Sequence, residues 1–336
     1  MSKVIVVGGG PAGIQAALSL KAAGVEPVLI ERGHEVGGKL REWHCLFPTV
    51  TPAAEVLGEF ERRLTDAGVE VMLRTEVEGV SGSGVELSGG QKIDADAVIL
   101  ASGFDIFDAR LKEEYGYKIY DNVYTTVDVE RMLNHGTLAL HDGSAPRRIA
   151  FLHCVGSRDE KVCQKHCSRV CCITGVKQAM EMRKHFPEAE IYNFYMDIRM
   201  FGPGYEELYQ QAQQDSNVNF IRGRVSEASP TREGQIQIKA EDTLVGRPMK
   251  MTVDMLVLAV GMKAGDSNER FARAGTVALA PSGFVAPLDS FHGNVSSATA
   301  GLFYAGTVTA PKNIGESMAE GALAAERVVE YLKNRV

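Results

Sequence analysis

Five of the six cysteines in this 336-residue chain lie between residues 154 and 172, in the run CVGSRDEKVCQKHCSRVCC. Such a concentration of thiols can form disulfides, bind a metal or a cluster, or act as a redox dithiol. The paired C-x2-C knuckles of zinc ribbons and the C-x-x-C motif of redox dithiols do not occur in this run. Four thiolates are enough for a [4Fe–4S] cluster. The spacing therefore favours a cluster bound by Cys154, Cys167, Cys171 and Cys172, with zinc and free or redox thiols left open as alternatives.

A second pattern capable of chemistry opens the chain. The segment KVIVVGGGPAG, residues 3–13, predicts a buried strand that runs into a glycine turn, and an apolar helical pattern follows from Ile14 to Ala23. A second strand, EPVLIE, ends at the acidic residue Glu31. The complete strand–turn–helix–strand–acid unit is the fingerprint of a dinucleotide site, whereas an isolated glycine pattern would be weak evidence. We therefore expect a bound dinucleotide at this turn.

Each position of the turn has a physical role in such a site. Gly8 makes the tight turn, Gly10 lets the backbone approach a pyrophosphate, and Gly13 lets the helix pack closely on the strand. The helix N-terminus then presents free N–H groups to the phosphates. The carboxylate of Glu31 can accept hydrogen bonds from the ribose hydroxyls of an adenosine.

Further segments resemble the two-dinucleotide-binding flavoproteins, and this resemblance indicates FAD rather than NAD. A second glycine pair, Gly37-Gly38, follows Glu31, and the segment TEVEGV resembles the one that clasps the adenine in that superfamily. The strands ADAVILASGF and GLFYAGT resemble the two that flank the flavin, although relatives carry an acidic residue where this chain has Thr307. The resemblance implies FAD contacts from Gly8, Gly10, Pro11, Ala12, Gly13, Glu31, Arg32, Gly38, Lys39, Val77, Ala101, Ser102, Gly103, Gly306 and Thr307.

A short internal sequence repeat predicts how the chain is divided into domains. The run DADAVILASGF at 94–104 recurs as TVDMLVLAVGM at 252–262. In glutathione and thioredoxin reductases, which these runs resemble, the chain leaves the FAD domain at the first such strand and returns at the second. We therefore predict an α/β protein with two Rossmann-like dinucleotide-binding domains of this type, the second inserted into the first. The expected FAD-binding domain comprises residues 1–111 and 256–336, and the expected insert comprises residues 112–255.

The insert lacks the glycine motif that NAD(P)H binding requires. After its predicted strand IAFLHCV the chain reads Gly156-Ser157-Arg158-Asp159, which has no G-x-G-x-x-G pattern. The cysteines begin where a pyrophosphate turn would lie. We therefore expect the insert to bind a metal centre in place of a nicotinamide dinucleotide.

Long segments of the chain resemble HdrA, the flavoprotein component of heterodisulfide reductase. They are the cysteine run extended to residue 180, YNFYMDIRMFGPGYEELY, FIRGRVSEA, EDTLVGR and AGTVTAPKNIGESMAEG. The resemblance implies FAD beside a [4Fe–4S] cluster and places the cluster ligands on Cys154, Cys167, Cys171 and Cys172, leaving Cys163 without a role. It also implies that Lys177 approaches the flavin N5, where a cation would favour reduced flavin and could supply a proton; the alternative is a surface lysine.

The resemblance further implies electron transfer between partner subunits. This chain lacks the ferredoxin-like extensions of the methanogen members and so resembles the short HdrA-like component of bacterial sulfur-oxidising complexes. The expected partners are other heterodisulfide reductase-like subunits and iron–sulfur electron carriers, and the chain is expected to form a homodimer. Two alternatives are the related flavoprotein component of a quinone-interacting membrane-bound oxidoreductase complex and a stand-alone flavin oxidoreductase acting on NAD(P)H or thiols.

The bulk composition excludes some other classes of function. The net charge is -7 at pH 7, which argues against nucleic-acid binding because that requires a basic face. No apolar run approaches the roughly 18 residues needed to span a bilayer. The N-terminal segment has too little positive charge for a signal peptide. We therefore expect a cytoplasmic protein without direct membrane insertion, in a compartment where clustered cysteines bind metals more often than they form disulfides.

Overall fold

The chain divides into two compact units. The computed structural model describes residues 2–335. The first unit consists of Met1–Arg41, Ala54–Asp105 and Lys263–Val336, and the second of Glu42–Ala53 and Ile106–Met262. None of the helices within residues 2–335 is long and apolar enough to cross a bilayer.

The helices are few and the strands are short. The helices are α1 Pro11–Ala22, α2 Ala53–Ala67, α3 Thr126–His135, α4 Cys171–His185, α5 Tyr205–Gln214, α6 Ser267–Arg273 and α7 Ile314–Lys333. The first ten strands are β1 Lys3–Val7, β2 Glu26–Ile30, β3 Cys45–Leu46, β4 Thr51–Pro52, β5 Glu70–Met72, β6 Val77–Ser81, β7 Gly84–Leu87, β8 Lys92–Asp94, β9 Ala97–Leu100 and β10 Phe104–Ile106. The remaining strands are β11 Val123–Thr125, β12 Arg148–Val155, β13 Glu190–Tyr195, β14 Val218–Arg222, β15 Val225–Pro230, β16 Ile236–Asp242, β17 Arg247–Val253, β18 Met255–Val260, β19 Met262–Ala264 and β20 Leu302–Tyr304.

The first unit is built on a parallel sheet with the strand order β20-β9-β1-β2-β5. Strands β1 and β9 are almost wholly buried and apolar, which is typical of parallel strands covered on both faces. Helix α7 packs against α1, and Gly321 allows the close approach because a Cβ there would lie 2.3 Å from the carbonyl oxygen of Ala12. The antiparallel sheet β6-β7-β8 completes the unit.

The second unit repeats this plan. Its parallel sheet has the order β11-β18-β12-β13-β14, and the antiparallel sheet β15-β16-β17 accompanies it. Strand β18, whose residues from 256 onward were expected in the FAD domain, pairs within this sheet on both sides, with β11 and β12. Strand β1 in the first sheet and strand β12 in the second therefore occupy the same central position.

Candidate functional site

The glycine turn after β1 has the backbone geometry that the sequence predicts. Gly8 has a φ of +109°, and a Cβ there would lie 2.3 Å from the carbonyl oxygen of Ala101, so only glycine fits. A Cβ on Gly13 would lie 1.9 Å from the carbonyl oxygen of Gly8, which explains the close packing of α1 on β1. Around Gly10, by contrast, nothing in residues 2–335 lies within 4 Å of a Cβ position. The turn is therefore tight on the protein side and open in front of Gly10.

The second glycine pair lies against this turn. The Gly37 amide donates to the carbonyl oxygen of Gly9 at 2.6 Å, and a Cβ on Gly38 would lie 3.2 Å from the Cα of Gly10. The fold thus brings together two glycine segments that are separated in sequence by α1 and β2. The ammonium of Lys39 lies 5.2 Å from the ring centre of Phe104, and the expected role of Lys39 at a pyrophosphate stays a prediction.

The carboxylate of Glu31 anchors the same region. Its Oε2 accepts from the Gly9 amide and its Oε1 from the Gly33 amide, both at 2.7 Å. A carboxylate oxygen has two lone pairs, so both oxygens keep capacity to accept a ribose hydroxyl. The backbone bonds hold Glu31 in place before any ligand arrives.

A cleft beside Glu31 contains the other predicted adenosine contacts. Ser102 Oγ is buried there and has no hydrogen-bond partner in the described part of the chain. Arg270, which the sequence did not suggest, also borders the cleft, and its Nε is buried without a partner among residues 2–335. Unpartnered buried donors fit a polar ligand, and with the open space at Gly10 they fit a dinucleotide such as FAD. The cleft is lined by Val7, Gly8, Ile30, Glu31, Arg32, Thr75, Glu76, Val77, Ser102, Ser267, Arg270 and Phe271.

The strand β20 returns the chain to the turn through Gly306. Gly306 has a φ of +74°, and a Cβ there would lie 2.7 Å from the Cβ of Ala12. The Gly306 amide donates to Oε2 of Glu320 at 3.0 Å, and the Lys312 ammonium lies 3.3 Å from the same oxygen. Burial raises the pKa of the Glu320 carboxyl, against the effect of Lys312. Glu320 thus places an acid beside Gly306, and no sequence pattern pointed to Glu320 because it lies within α7.

The cysteine segment between β12 and α4 folds back on itself. The Arg158 amide donates to the carbonyl oxygen of His166 at 2.9 Å, and Asp159 and Gln164 exchange backbone hydrogen bonds at 2.8 and 2.9 Å. Cys163 lies at the exposed tip of this hairpin, with a φ of +57°. The returning arm carries Cys167 back to the level of the residues that follow Cys154. The hairpin therefore separates Cys163 from the other cysteines.

The hairpin is anchored by a buried ion pair. The Lys112 ammonium lies 2.7 Å from Oδ2 of Asp159, and both side chains are at most 3% exposed. Arg224 donates to the same carboxylate oxygen at 2.8 Å. The two cations lower the pKa of Asp159 against the effect of burial, which acts in the opposite direction. The start of the cysteine segment is therefore held rigidly by charges from other parts of the same unit.

Three of the four predicted ligands are buried, and Cys171 hydrogen-bonds to both Cys154 and Cys172. Cys154 lies at an irregularity in the pairing of β12 with β18 and has a φ of +64°, whereas Cys171 and Cys172 begin α4. Hydrogen bonds with Cys171 lower the pKa of Cys154 to about 7 and that of Cys172 to about 4, and raise the pKa of Cys171 itself. Bulges often re-aim a side chain at a functional site, and a helix N-terminus favours thiolates. The arrangement favours thiolate chemistry.

An arginine with one unpartnered nitrogen among the described residues lies beside these thiols. Arg158 has a φ of +55° and donates from Nη2 to Oδ2 of Asp197 at 2.7 Å. Its Nη1 is buried and finds no partner in the described residues. The charges of Cys154 and Cys167, when ionised, act on Arg158. A positive φ in a non-glycine residue costs energy, and such residues are frequent at functional sites. An unpartnered guanidinium N–H can donate to an anionic group. The donor set therefore fits a cluster held by thiolates.

The second unit does not reproduce the open nucleotide turn. Gly156, the first residue after β12, is closed as Gly8 is, because a Cβ there would lie 2.0 Å from the ring of Phe107, and Arg158 stands where the first unit has the open Gly10. Beyond the next strand, β13, the acid is Asp197, and it pairs with Arg158. Both observations support the expectation that the insert does not bind NAD(P)H through this turn.

Lys177 is not a surface lysine, so that alternative is wrong. Its side chain is 2% exposed, and its ammonium lies 2.5 Å from Oε1 of Glu130 and 3.1 Å from Oε2 of Glu181. It also donates to the carbonyl oxygen of Cys45 at 3.0 Å. Neither glutamate was singled out from the sequence, because a buried acid cannot be told from an exposed one in a helical pattern. The predicted approach of Lys177 to a flavin stays a prediction.

Comparison with known proteins identifies the relatives of this chain. Residues 3–66 match the family described as FAD dependent oxidoreductase. The HdrA component of the H(2)/formate:CoB-CoM heterodisulfide,ferredoxin reductase from Methanococcus maripaludis is 42% identical over 243 residues, which cover 70% of this chain and 37% of that protein. The HdrA component of the Ferredoxin:CoB-CoM heterodisulfide reductase from Methanosarcina mazei is 30% identical over 421 residues, covering 98% of this chain and 53% of that protein. The chain thus spans between about a third and a half of the length of these relatives, and the expected resemblance to HdrA is confirmed.

Solved structures confirm the fold. Thioredoxin reductase from Lactococcus lactis superimposes with a TM-score of 0.70 at 16% identity, covering 99% of this chain and all of that one. Thioredoxin reductase from T. acidophilum has a TM-score of 0.70 at 18% identity and full coverage of both chains. The predicted α/β architecture of the thioredoxin reductase type is therefore correct.

Proposed function

We propose that this HdrA homologue is an FAD- and [4Fe–4S]-containing electron-transfer subunit of a heterodisulfide reductase-like complex in sulfur oxidation. One observation carries the proposal. The two parallel sheets have the same plan but different segments after their central strands. An open dinucleotide turn follows β1, whereas Cys154 lies near the end of β12 and the other three predicted ligands follow it.

The FAD would be held by the first unit. The open turn at Gly10 would take the pyrophosphate, Glu31 the ribose, and Ser102 a polar group of the adenosine half, because these groups keep free space or hydrogen-bonding capacity. When bound, a flavin takes up two electrons and releases them singly, and a [4Fe–4S] cluster carries one at a time, so together they convert between two-electron and one-electron transfer. In this proposal Lys177 acts toward the flavin, and Glu130 and Glu181 hold its ammonium in position.

We prefer a cluster to a single zinc ion at the four cysteines, because the run lacks the paired C-x2-C knuckles of zinc ribbons. Zinc with sulfur ligands at about 2.3 Å holds those sulfur atoms about 3.8 Å apart. Among residues 2–335, the group whose ligand atoms all lie within 4.8 Å of one another is His44, Cys45 and Glu181, not the four cysteines. The four cysteines therefore do not form a preassembled zinc site, although Cys171 hydrogen-bonds to both Cys154 and Cys172. The unpartnered Nη1 of Arg158 supports an anionic group at this position.

The remaining parts of the proposal concern assembly. The relatives are subunits of heterodisulfide reductases, which supports partner subunits and iron–sulfur carriers for this chain. A homodimer and a cytoplasmic location are proposed on the same resemblance. The nicotinamide-dependent alternative is disfavoured by Arg158, which stands where the first unit has the open Gly10.

Anaerobic purification followed by cofactor analysis tests the proposal. We expect about one FAD, four iron atoms and four inorganic sulfides per chain, with the broad visible absorbance of a cluster superimposed on the flavin bands. Zinc without iron would refute electron transfer through the cysteines, and a colourless protein without flavin would refute the FAD site.

A further inference from the structure

A compact group of metal-binding side chains lies in the second unit apart from the four clustered cysteines. His44, Cys45 and Glu181 each offer a ligand atom, and these atoms all lie within 4.8 Å of one another. His44 Nδ1 is 2.8 Å from Oε1 of Glu181. His44 and Cys45 have no part in the proposed FAD or cluster sites, and Glu181 is connected to them only as a neighbour of Lys177.

The backbone around this group is held in place from several sides. Oε2 of Glu130 accepts from the His44 amide at 2.7 Å, and Lys177 donates to the carbonyl oxygen of Cys45 at 3.0 Å. The His44 carbonyl oxygen accepts from the Ala53 amide at 2.9 Å. The short segment that carries His44 and Cys45 is thus fixed against helix α4, which carries Glu181. A preorganised set of ligands binds a metal with less ordering cost than a mobile one.

The charges around the group leave room for a further cation. Glu130 and Glu181 are 2% and 6% exposed, and Lys177 is the ammonium that lies beside both of them. Oε2 of Glu181 is buried and makes no hydrogen bond within residues 2–335, although the Lys177 ammonium lies 3.1 Å away. A buried carboxylate is costly unless it is paired and hydrogen-bonded. One lysine for two buried carboxylates leaves one negative charge to compensate.

We propose that His44 Nδ1, Cys45 Sγ and the Glu181 carboxylate bind a divalent metal ion of the zinc class. The donor set of imidazole, thiolate and carboxylate is one that zinc accepts in tetrahedral sites. With Zn–N and Zn–O distances of about 2.0–2.1 Å, the nitrogen and oxygen ligands lie about 3.3 Å apart, so the observed 2.8 Å requires only a small outward movement. Three protein ligands leave a fourth position for an external donor.

The ion can reach the site from solvent, and the charges of the ion and its ligands balance when it binds. The His44 side chain is 34% exposed, whereas that of Glu181 is 6% exposed, so the imidazole forms the open side. As the metal–sulfur bond forms, the thiol proton of Cys45 leaves to solvent. The thiolate and the carboxylate then neutralise the two charges of the ion. The rival explanation is a metal-free hydrogen bond between a histidine and a carboxylate.

Zinc binding to the anaerobically purified full chain tests the proposal. The chain is freed of loosely bound metal, mixed with ZnCl2, passed through a desalting column and analysed for zinc, iron and flavin. We expect one zinc per chain in the wild type and in the control variant Cys163→Ala, which removes an exposed thiol outside the site. Cys45→Ala and Glu181→Gln should each weaken zinc binding by at least about 100-fold, since loss of a ligand costs more than loss of a supporting residue.

Two further measurements separate this site from its rivals. Co2+ in place of zinc should give a thiolate-to-cobalt absorbance in the wild type that Cys45→Ser lacks, even if Cys45→Ala folds poorly. Cys171→Ala, which alters the other cysteine set, should keep the zinc equivalent. The proposal is overturned if the wild type retains no zinc, if Cys45→Ala and Cys45→Ser retain as much as the wild type, or if Cys171→Ala alone loses it.

Discussion

The segments after β1 and after β12 occupy the same place in two sheets of the same order, yet they are built for different chemistry. Three residues, 8–10, connect β1 to α1, whereas residues 156–170 connect β12 to α4. In the short connection the third residue, Gly10, has open space around it, whereas in the long one the third residue is Arg158, which pairs with Asp197. The position in the fold is thus shared, and the length and composition of one connection decide what can bind there.

The acids after β2 and β13, the strands that follow the two central strands in the chain, show the same contrast. Glu31 is held by the Gly9 and Gly33 amides and keeps lone pairs for a ligand. Asp197 instead pairs with Arg158, a residue of the cysteine hairpin. The first acid is prepared for a ribose, and the second has become part of the support for the cysteines. The comparison therefore predicts which substitutions should affect one cofactor and not the other.

The largest expected effect is the loss of FAD when the open turn is filled. In Gly10→Val the side chain would occupy the space that a pyrophosphate needs, so the purified variant should contain little or no flavin while retaining iron. Gly58→Ala is the matched control, because it also adds a side chain where no atom of residues 2–335 lies within 4 Å, but within α2. Flavin absorbance after denaturation measures the outcome. Full flavin content in Gly10→Val would show that the turn is not the pyrophosphate site.

The cysteines provide the reciprocal test. Single Cys→Ala variants at 154, 167, 171 and 172 should lose iron and the broad cluster absorbance while keeping FAD, because the proposed FAD contacts lie in the first unit. Cys163→Ala should keep both cofactors, since its thiol lies at the exposed tip of the hairpin. Iron, sulfide and flavin analysis gives the result. The ligand assignment is wrong if Cys163→Ala loses the cluster and Cys154→Ala retains it.

The same comparison predicts poor reaction with nicotinamide. In the second unit Arg158 stands where the first unit has the open Gly10, so NADH or NADPH should reduce the flavin of the isolated chain only slowly. Stopped-flow absorbance of the flavin band measures the rate, and dithionite serves as the control that the flavin can be reduced. Rapid bleaching by NADH would show that the insert is a working nicotinamide domain.

The helices that follow the two turns differ in what they bury, and this predicts a stability difference. Helix α1 buries only apolar residues and glycine among its described positions, whereas α4 buries Lys177, Gln178 and Glu181. Lys177→Met should cost about 3–5 kcal/mol, because it leaves Glu130 buried without its partner. Lys184→Met, an exposed lysine on the same helix, should change stability by less than about 0.5 kcal/mol. Thermal unfolding of both variants, followed by circular dichroism, decides; equal midpoints would mean that the buried ion pair is not stabilising.

The sequence predicted the parts of this molecule that depend on local pattern. The glycine turn, the strand before it and the α/β architecture follow from short-range periodicity and backbone sterics, and the structure shows Gly8, Gly10 and Gly13 in the expected geometry. The parts that depend on long-range packing were not predictable. Glu320 reaches Gly306 from within α7, and Glu181 reaches His44 from within α4, and neither partner can be read from a helical pattern. The hairpin in the long connection after β12 was not predicted either, because the pairing of its two arms depends on backbone hydrogen bonds rather than on residue type.

The smallest expected effect concerns one hydroxyl at the edge of the first site. Ser102 follows β9, and the residue in the same place of the repeated run is Val260, at the end of β18. Ser102 Oγ is buried without a partner within residues 2–335, so in the flavin-free protein it carries an unfavourable desolvation cost, which FAD binding would relieve. Ser102→Ala should therefore weaken FAD binding by about threefold to tenfold, equivalent to a hydrogen bond of about 0.5–1.5 kcal/mol, while the flavin-free protein becomes no less stable. The exposed Ser88→Ala is the control and should change neither quantity. Fluorescence titration of the flavin-free chain with FAD measures the affinity, and thermal unfolding measures the stability. A loss of stability without a loss of affinity would show that Ser102 serves packing. The contrast with Val260 would then carry no information about the ligand.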